Sequence, residues 1–230
     1  MSTPLVSVVT PVYNGERYLA EALTSLFAQD YEPFEAIVVD DGSTDRTPEI
    51  AQSFDRVRYI RQENQGRPVA CNAGVAESNG ELIAWLDADD VLPPTKLSVQ
   101  AGYLAAHPDV GCVFGRQTVI LEDFDAPQWM KDEAARGVSE EVPFVSMMVR
   151  REAFDKAGGF DPSYGYAEDR DLGVRLREAG VKIEVLEEVV LHRRFHGTNM
   201  VLKDRPQSHP LLRSLKGKID RSRAAQKDDG

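Results

Sequence analysis

Short apolar runs alternate with helix-period segments over the first 90 residues, and this alternation constrains the fold more than any other feature. LVSVVTPVY (5–13) is Val-rich and closed by Pro11, and it reads as a buried strand. A helix follows, with Tyr18, Leu19, Ala22, Leu23, Leu26 and Phe27 at helical spacing. FEAIVVDDGSTD (34–45) is a second strand ending in acids and Gly42. TPEIAQSF opens a helix with Thr47 as N-cap, Pro48 at N1 and Glu49 in the first turn. VRYIRQ (57–62) is a third strand, RPVACNAGVAES a helix stopped near Asn79-Gly80, and ELIAWLDADD a fourth strand. The order predicts an α/β domain with a mostly parallel sheet covered on both faces. Helices and loops are expected to carry the chain on to a strand and short helix in 142–160. A helix over 168–180 and strand-like alternation in VKIEVLEEVVLHRRFH come after.

Two of these strands end in carboxylates, Asp40-Asp41 and Asp87-Ala88-Asp89, with Asp90 beyond. Ligands of open α/β sheets bind past the carboxyl ends of the strands. In an extended chain residues i and i+2 project to one side, so Asp87 and Asp89 are expected to face one point. Converging carboxylates call for a cation, and hard oxygen donors suit Mg²⁺ or Mn²⁺. An Asp-rich turn that merely ends a strand is the plain alternative. A calcium EF-hand starting at Asp87 is excluded, because Leu92 and Ser98 stand where Gly and Glu are needed. A phosphatase with its Asp pair on the first strand is excluded by Thr10-Pro11.

The net charge of -11 argues against a general nucleic-acid binder. Cys71 and Cys112 form neither a disulfide framework nor a CxxC site, which points to a reducing, cytoplasmic setting. No signal peptide or long apolar span is read in the sequence. From Lys203 to Gly230 there are eight Lys/Arg against four Asp/Glu. Leu211, Leu212, Leu215 and Ile219 recur there at roughly helical spacing. The tail, 201–230, is thus either a partly disordered or peripheral segment, or a basic amphipathic helix making peripheral contact with the inner membrane face.

Five segments, VSVVTPVYNGERYLAEALTSLFAQ, FEAIVVDDGSTDRT, NQGRPVACNAGVAESNGELIAWLDADD, GGFDPSYGYAEDRDLGVRL and RRFHGTNM, occur in one order. As an ordered set they resemble the family 2 glycosyltransferases of the GT-A fold, over about residues 5–200. The resemblance implies a single GT-A domain over 1–200, with a nucleotide-sugar-binding part (about 1–115) and an acceptor-binding part (116–200). It implies transfer of a sugar from a nucleotide-diphosphate donor, expected to be a UDP-sugar, with inversion. The acceptor is expected to be a carbohydrate or lipid-linked hydroxyl in envelope polysaccharide synthesis.

Carried over by position, the resemblance places Thr10, Pro11 and Tyr13 along the base and ribose, and Asp41 on the base edge. Asp87, Ala88 and Asp89 match the DxD motif, with Asp89 and His196 as metal ligands. Glu168 would contact substrate and Asp169 would be the general base. Cys71 stands where the family often has Arg, so a diphosphate contact from this helix would fall to Arg67. Trp85 reads as core, and Trp129 as either packing or an acceptor contact. Each acid also has a structural reading: Asp40 and Asp41 as strand terminators, Glu168-Asp169 as helix N-terminal charges. A non-catalytic sugar-nucleotide binder and a nucleotidyltransferase remain as rivals, although TPVYNGERY lacks the Gly-rich, basic phosphate loop of the latter.

Overall fold

The computed structural model describes residues 3–139 and 142–199, with 165–167 described by backbone alone. The basic tail of 201–230 lies outside the described residues. The expected alternation is present as β1 (Val6–Val12), α1 (Leu19–Phe27), β2 (Phe34–Asp40), α2 (Thr47–Gln52), β3 (Val57–Arg61), α3 (Arg67–Ala76) and β4 (Leu82–Trp85). All of β1 is buried, as a central strand of a sheet covered on both faces must be. Val9 stands between Ile37 of β2 and Trp85 of β4, both in parallel register. Val12, Val38 and Ala51 pack with Leu19 and Leu23 of α1 on one face. On the other, α3 lies so close that a Cβ at Gly74 would collide with Val9.

The chain continues through α4 (Lys96–Ala106), β5 (Cys112–Leu121), α5 (Gln128–Ala135), β6 (Val138–Ser139), β7 (Met148–Arg150), α6 (Arg151–Ala157), α7 (Glu168–Glu178) and β8 (Ile183–Phe195). One sheet has the order β3-β2-β1-β4-β7-β5-β6, with β8 paired to β5. Strand β7 is antiparallel to both β4 and β5, and β8 is parallel to β5. Strands β5 and β8 therefore run in the direction of β4, and their carboxyl ends emerge at the edge where the acids collect. Trp85 is fully buried and packs on Phe144, Phe154 and Phe160, fulfilling its expected core role. Such aromatic pairs add ~0.5–1.5 kcal/mol each beyond their area burial. Among the described residues no helix is long and apolar enough to cross a membrane.

Three local expectations are corrected. The stretch after Asp90 holds a ten-residue strand, β5, where only helices and loops were expected. Its apolar run is interrupted by Gly115-Arg116-Gln117, where the register with β8 shifts. A Cβ at Gly115 would lie 2.6 Å from Val190, so glycine lets β8 approach at the irregularity. The fourth strand stops at Trp85, and Asp87–Asp90 is a turn closed by the Asp90 N–H on the Asp87 carbonyl at 3.1 Å. Thr47 is the first residue of α2 and Arg46 its cap; Asp45, one residue earlier, closes the turn into the helix, its Oδ1 accepting from Thr47 N–H at 3.0 Å and from the Thr47 hydroxyl at 2.5 Å.

Candidate active site

The loops after β1 and β2 are laced together. Asn14, at φ +52°, donates its N–H to Ser43 Oγ at 2.9 Å and accepts from Thr44 N–H at 2.8 Å. Gly15 N–H donates to Thr47 Oγ1 at 2.8 Å, and a Cβ at Gly15 would lie 3.5 Å from Ala88 Cβ. The first loop is thereby held against the Asp87–Asp90 turn. Thr10 and Pro11 are buried, whereas Tyr13 is 54% exposed on this rim.

Asp41 is buried and its carboxylate grips the loop after β3. Oδ1 accepts from Gln62 Nε2 at 2.7 Å and Gln65 N–H at 2.9 Å; Oδ2 accepts from Gly66 N–H at 2.8 Å. Gly66, at φ +91°, is the N-cap of α3, so Asp41 fixes where that helix begins. Asp40 is fully buried and accepts from Ser43 N–H and the Tyr59 hydroxyl.

Arg67, the first residue of α3, joins acids from distant parts of the chain. Its Nε and Nη2 donate to Asp87 Oδ1 at 3.2 and 3.1 Å. Its Nη1 donates to Asp169 Oδ1 at 3.0 Å and to Glu168 Oε1 at 3.4 Å. Cys71, one turn along the same helix, is fully buried. The cation missing at position 71 is thus supplied from position 67.

One guanidinium serves three carboxylates here, and they differ in access. The Glu168 side chain is 5% exposed, and its Oε2 is buried without a hydrogen-bond partner among the described residues. Burial, with the Asp169 charge beside it, pushes the Glu168 carboxyl up to about 7. Asp169 is also raised, by burial, but its side chain is 34% exposed. Of the pair, Asp169 is the one a ligand can reach.

On the other side of the turn, His196 Nε2 lies 2.9 Å from Asp89 Oδ2. His196 Nδ1 lies 2.8 Å from the Thr198 hydroxyl, which can accept its proton and so leave the Nε2 lone pair toward Asp89. Asn199 Nδ2 donates to the same carboxylate oxygen at 3.1 Å. Among the described residues no group of three His, Cys, Asp or Glu side chains is placed to hold a metal. One carboxylate and one imidazole nevertheless fit a cation that draws its remaining oxygens from a substrate diphosphate.

Arg194 is a member of the site that the sequence reading did not single out. Its N–H donates to Asp90 Oδ1 at 2.8 Å and its Nε to the Asp89 carbonyl at 3.0 Å. Its outer nitrogens pair with Glu122 and Glu21, each at 2.7 Å. With the Val91–His192 bridge, these contacts lash the end of β8 to the acidic turn. Asp90 is buried under this lashing, and burial together with Asp89 and Asp87 raises its carboxyl well above the usual range. The only signal in the sequence was the basic pair Arg193-Arg194 ahead of His196.

An uncharacterized glycosyltransferase of Rickettsia typhi is 33% identical over 208 residues, 84% of this chain and 65% of the relative. Another from Rickettsia felis is 31% identical over 209 residues, again 84% of this chain but 34% of the relative. The chain therefore spans about a third to two thirds of the length of these relatives. Among solved structures, Staphylococcus aureus TarS 1–349 in complex with UDP-GlcNAc superposes with a TM-score of 0.71 at 22% identity, covering 87% of this chain and 61% of that one. The mannosyltransferase PcManGT of Pyrobaculum calidifontis, in complex with GDP-Man and Mn²⁺, gives 0.66 at 22% identity, covering 95% and 70%. These likenesses establish the fold as the GT-A sandwich. The family described as Glycosyl transferase family 2 matches residues 7–157, two thirds of the sequence, and the chain belongs to that family.

Proposed function

We propose that the protein is an inverting glycosyltransferase that moves a sugar from a nucleotide diphosphate, a UDP-sugar in our reading, to an acceptor hydroxyl. The observation that carries this reading is Arg67, which holds Asp87 on the strand-end side and Asp169 on the α7 side of one site. An inverting displacement needs a base on the acceptor side and positive charge on the leaving-group side, and Arg67 separates acids suited to the two tasks. TarS with UDP-GlcNAc and PcManGT with GDP-Man support a nucleotide-sugar donor for this fold.

In this mechanism Asp169 accepts the proton of the attacking hydroxyl as its oxygen bonds to the anomeric carbon. Arg67 opposes the burial that favours protonation of Asp169 before the donor binds, then turns its donors on the diphosphate. Glu168, protonated in part near neutrality, spares the site a further negative charge. Asp41 acts through the loop before α3, which also borders the base, while Thr10, Pro11 and Tyr13 form the wall beside it. Asp89 and His196 would hold Mg²⁺ or Mn²⁺, which when bound offsets charge on the leaving diphosphate.

The test is incubation with a panel of UDP-sugars and saccharide acceptors, reading UDP release and the anomeric configuration of the product by NMR. UDP with an inverted product is expected. Pyrophosphate would mean nucleotidyl transfer, and UDP binding without turnover across the panel would mean a binding protein; either result replaces this reading.

A further inference from the structure

Alternate residues of the last strand point to opposite sides. Arg194 and His196 turn toward Asp89, Asp90 and the donor acids. Arg193 and Phe195 lie on the other side by alternation, and Phe195 packs with Ala126 and Met130 of the segment that leaves the same sheet edge after Leu121. Phe195 is 2% exposed and its ring has two neighbours of interest. The Arg193 guanidinium lies over it at 5.3 Å, and the Trp129 ring meets it at 5.6 Å and 69°. Trp129 itself is 41% exposed. Arg193 makes no hydrogen bond or ion pair with the described residues, in contrast to the doubly paired Arg194 beside it. Its charge still reaches the base, opposing the upward shift of the Asp169 carboxyl.

An arginine without an acidic partner among the described residues is unexpected in a chain of net charge -11, where acids are plentiful. A guanidinium packed on an aromatic face keeps a fork of N–H donors in fixed orientation for a planar or tetrahedral oxyanion. An exposed indole offers a flat apolar surface to the C–H face of a sugar ring. Both features contact one buried ring, at the edge of the sheet where Asp169 waits for an acceptor.

We propose that Arg193 and Trp129 form an acceptor subsite for a saccharide carrying an anionic group, a phosphate or a carboxylate. The subsite rests on the glycosyltransferase reading above. Trp129 takes the ring and Arg193 the oxyanion through paired N–H donors. A neutral sugar would make only the first contact.

The chain has two tryptophans, and Trp85 is fully buried, so ligand-induced change in exposed tryptophan emission reports Trp129. The full chain is titrated with glucose 6-phosphate, glucuronate, glucose and inorganic phosphate. UDP binding is measured separately by calorimetry. The sugar phosphate and the uronate are expected to quench saturably, at least about tenfold more tightly than glucose or inorganic phosphate, in line with a charge-assisted bidentate contact. The W129F variant should lose the signal. R193A should bring both anionic sugars to the level of glucose while leaving UDP affinity unchanged, and R193K should restore part of the preference. R193Q carries the same test if R193A does not fold. Equal binding of glucose and glucose 6-phosphate by the wild type overturns the subsite. So does inorganic phosphate matching the sugar phosphate, or R193A weakening UDP as much as it weakens the anionic sugars. The emission readout needs no turnover, so a wild type that fails to transfer sugar but discriminates these ligands rejects the enzyme reading and not the subsite.

Discussion

Arg67 Nη1 donates to Asp169 Oδ1 at 3.0 Å, joining the first residue of α3 to the second residue of α7 across 102 positions of sequence. The same side chain reaches Asp87 just past the end of β4, so the β4 end and the α7 end of the site share one cation. Replacing it changes both. R67A should lower kcat/KM for sugar transfer by ~10²-fold or more, the scale of losing one preorganised donor in an active site. It should also raise the apparent pKa of the acid limb of the rate profile, because the guanidinium opposes the burial that lifts Asp169. R67K keeps the charge without the fork and should fall between. A rate profile whose acid limb stays in place in R67A would remove Arg67 from the control of the base.

The adjacent carboxylates should separate cleanly. D169N cannot accept a proton and should cost ~10²–10⁴ in kcat while retaining UDP affinity. E168Q should keep turnover within a few-fold, since Glu168 is already partly protonated near neutrality. Steady-state kinetics beside calorimetry distinguishes the two. Loss of turnover in E168Q with D169N unimpaired would transfer the base to Glu168.

Glu168 also predicts a slope in stability. The folded protein keeps this proton up to about 7, whereas an unfolded glutamate releases it near 4.5. Between those values the native state binds more protons, so stability is full below 4.5 and falls as pH rises toward 7. In E168Q that contribution disappears. Denaturant melts of both proteins between pH 4.5 and 7.5 should therefore converge at the low end and part at the high end, with the wild type the less stable. Parallel curves would mean that Glu168 ionises normally in the fold.

Much of this site was legible because its acids sit where local patterns end. Asp40, Asp41 and Asp87 follow apolar runs, and Glu168-Asp169 open a helix, so periodicity alone places them at element ends. What the pattern could not give was how they connect. Asp41 holding Gly66, Arg67 bridging Asp87 to Asp169, and Arg194 locked on Asp90 are contacts between residues 20 to 104 apart, and no repeat in the sequence encodes them. The extension expected through Asp89 gave way to a turn because Asp89 and Asp90 are recruited by His196 and Arg194. Strand β5 was obscured where Gly115, Arg116 and Gln117 break its apolar run to admit the irregularity in β8.

The donor side should depend on Asp89 and His196 as a pair. Either D89A or H196A should abolish the extra thermal stabilisation that UDP gives in the presence of Mn²⁺, and chelation with EDTA should do the same to the wild type. A ligand that binds only the native state stabilises it in proportion to ln(1 + [L]/Kd), so the missing shift reports lost affinity directly. UDP stabilisation that is equal with and without Mn²⁺ in the wild type would take the metal out of donor binding.

Lys96 gives the last prediction, one made without reference to activity. It is the first residue of α4 and fully buried, with Nζ donating to Gln100 Oε1 at 2.9 Å and to the Ser146 carbonyl at 3.2 Å. No carboxylate among the described residues offsets its charge, and burial lowers the amine to about 7. An unfolded lysine keeps its proton to near 10.5, so between about 7 and 10.5 the unfolded chain binds more protons. Stability from this group therefore rises with pH across that window. K96M fills similar space with a flexible apolar side chain and has nothing to titrate. Gln100 Nε2 still donates to the Ser146 carbonyl at 2.7 Å, while Gln100 Oε1 loses its Lys96 donor, a cost that does not vary with pH. The difference in unfolding free energy, wild type minus K96M, should climb steadily from pH 7 to pH 10 in urea melts. A flat difference curve would show that the buried amine keeps its proton in the folded protein, carried by the amide and carbonyl oxygens alone.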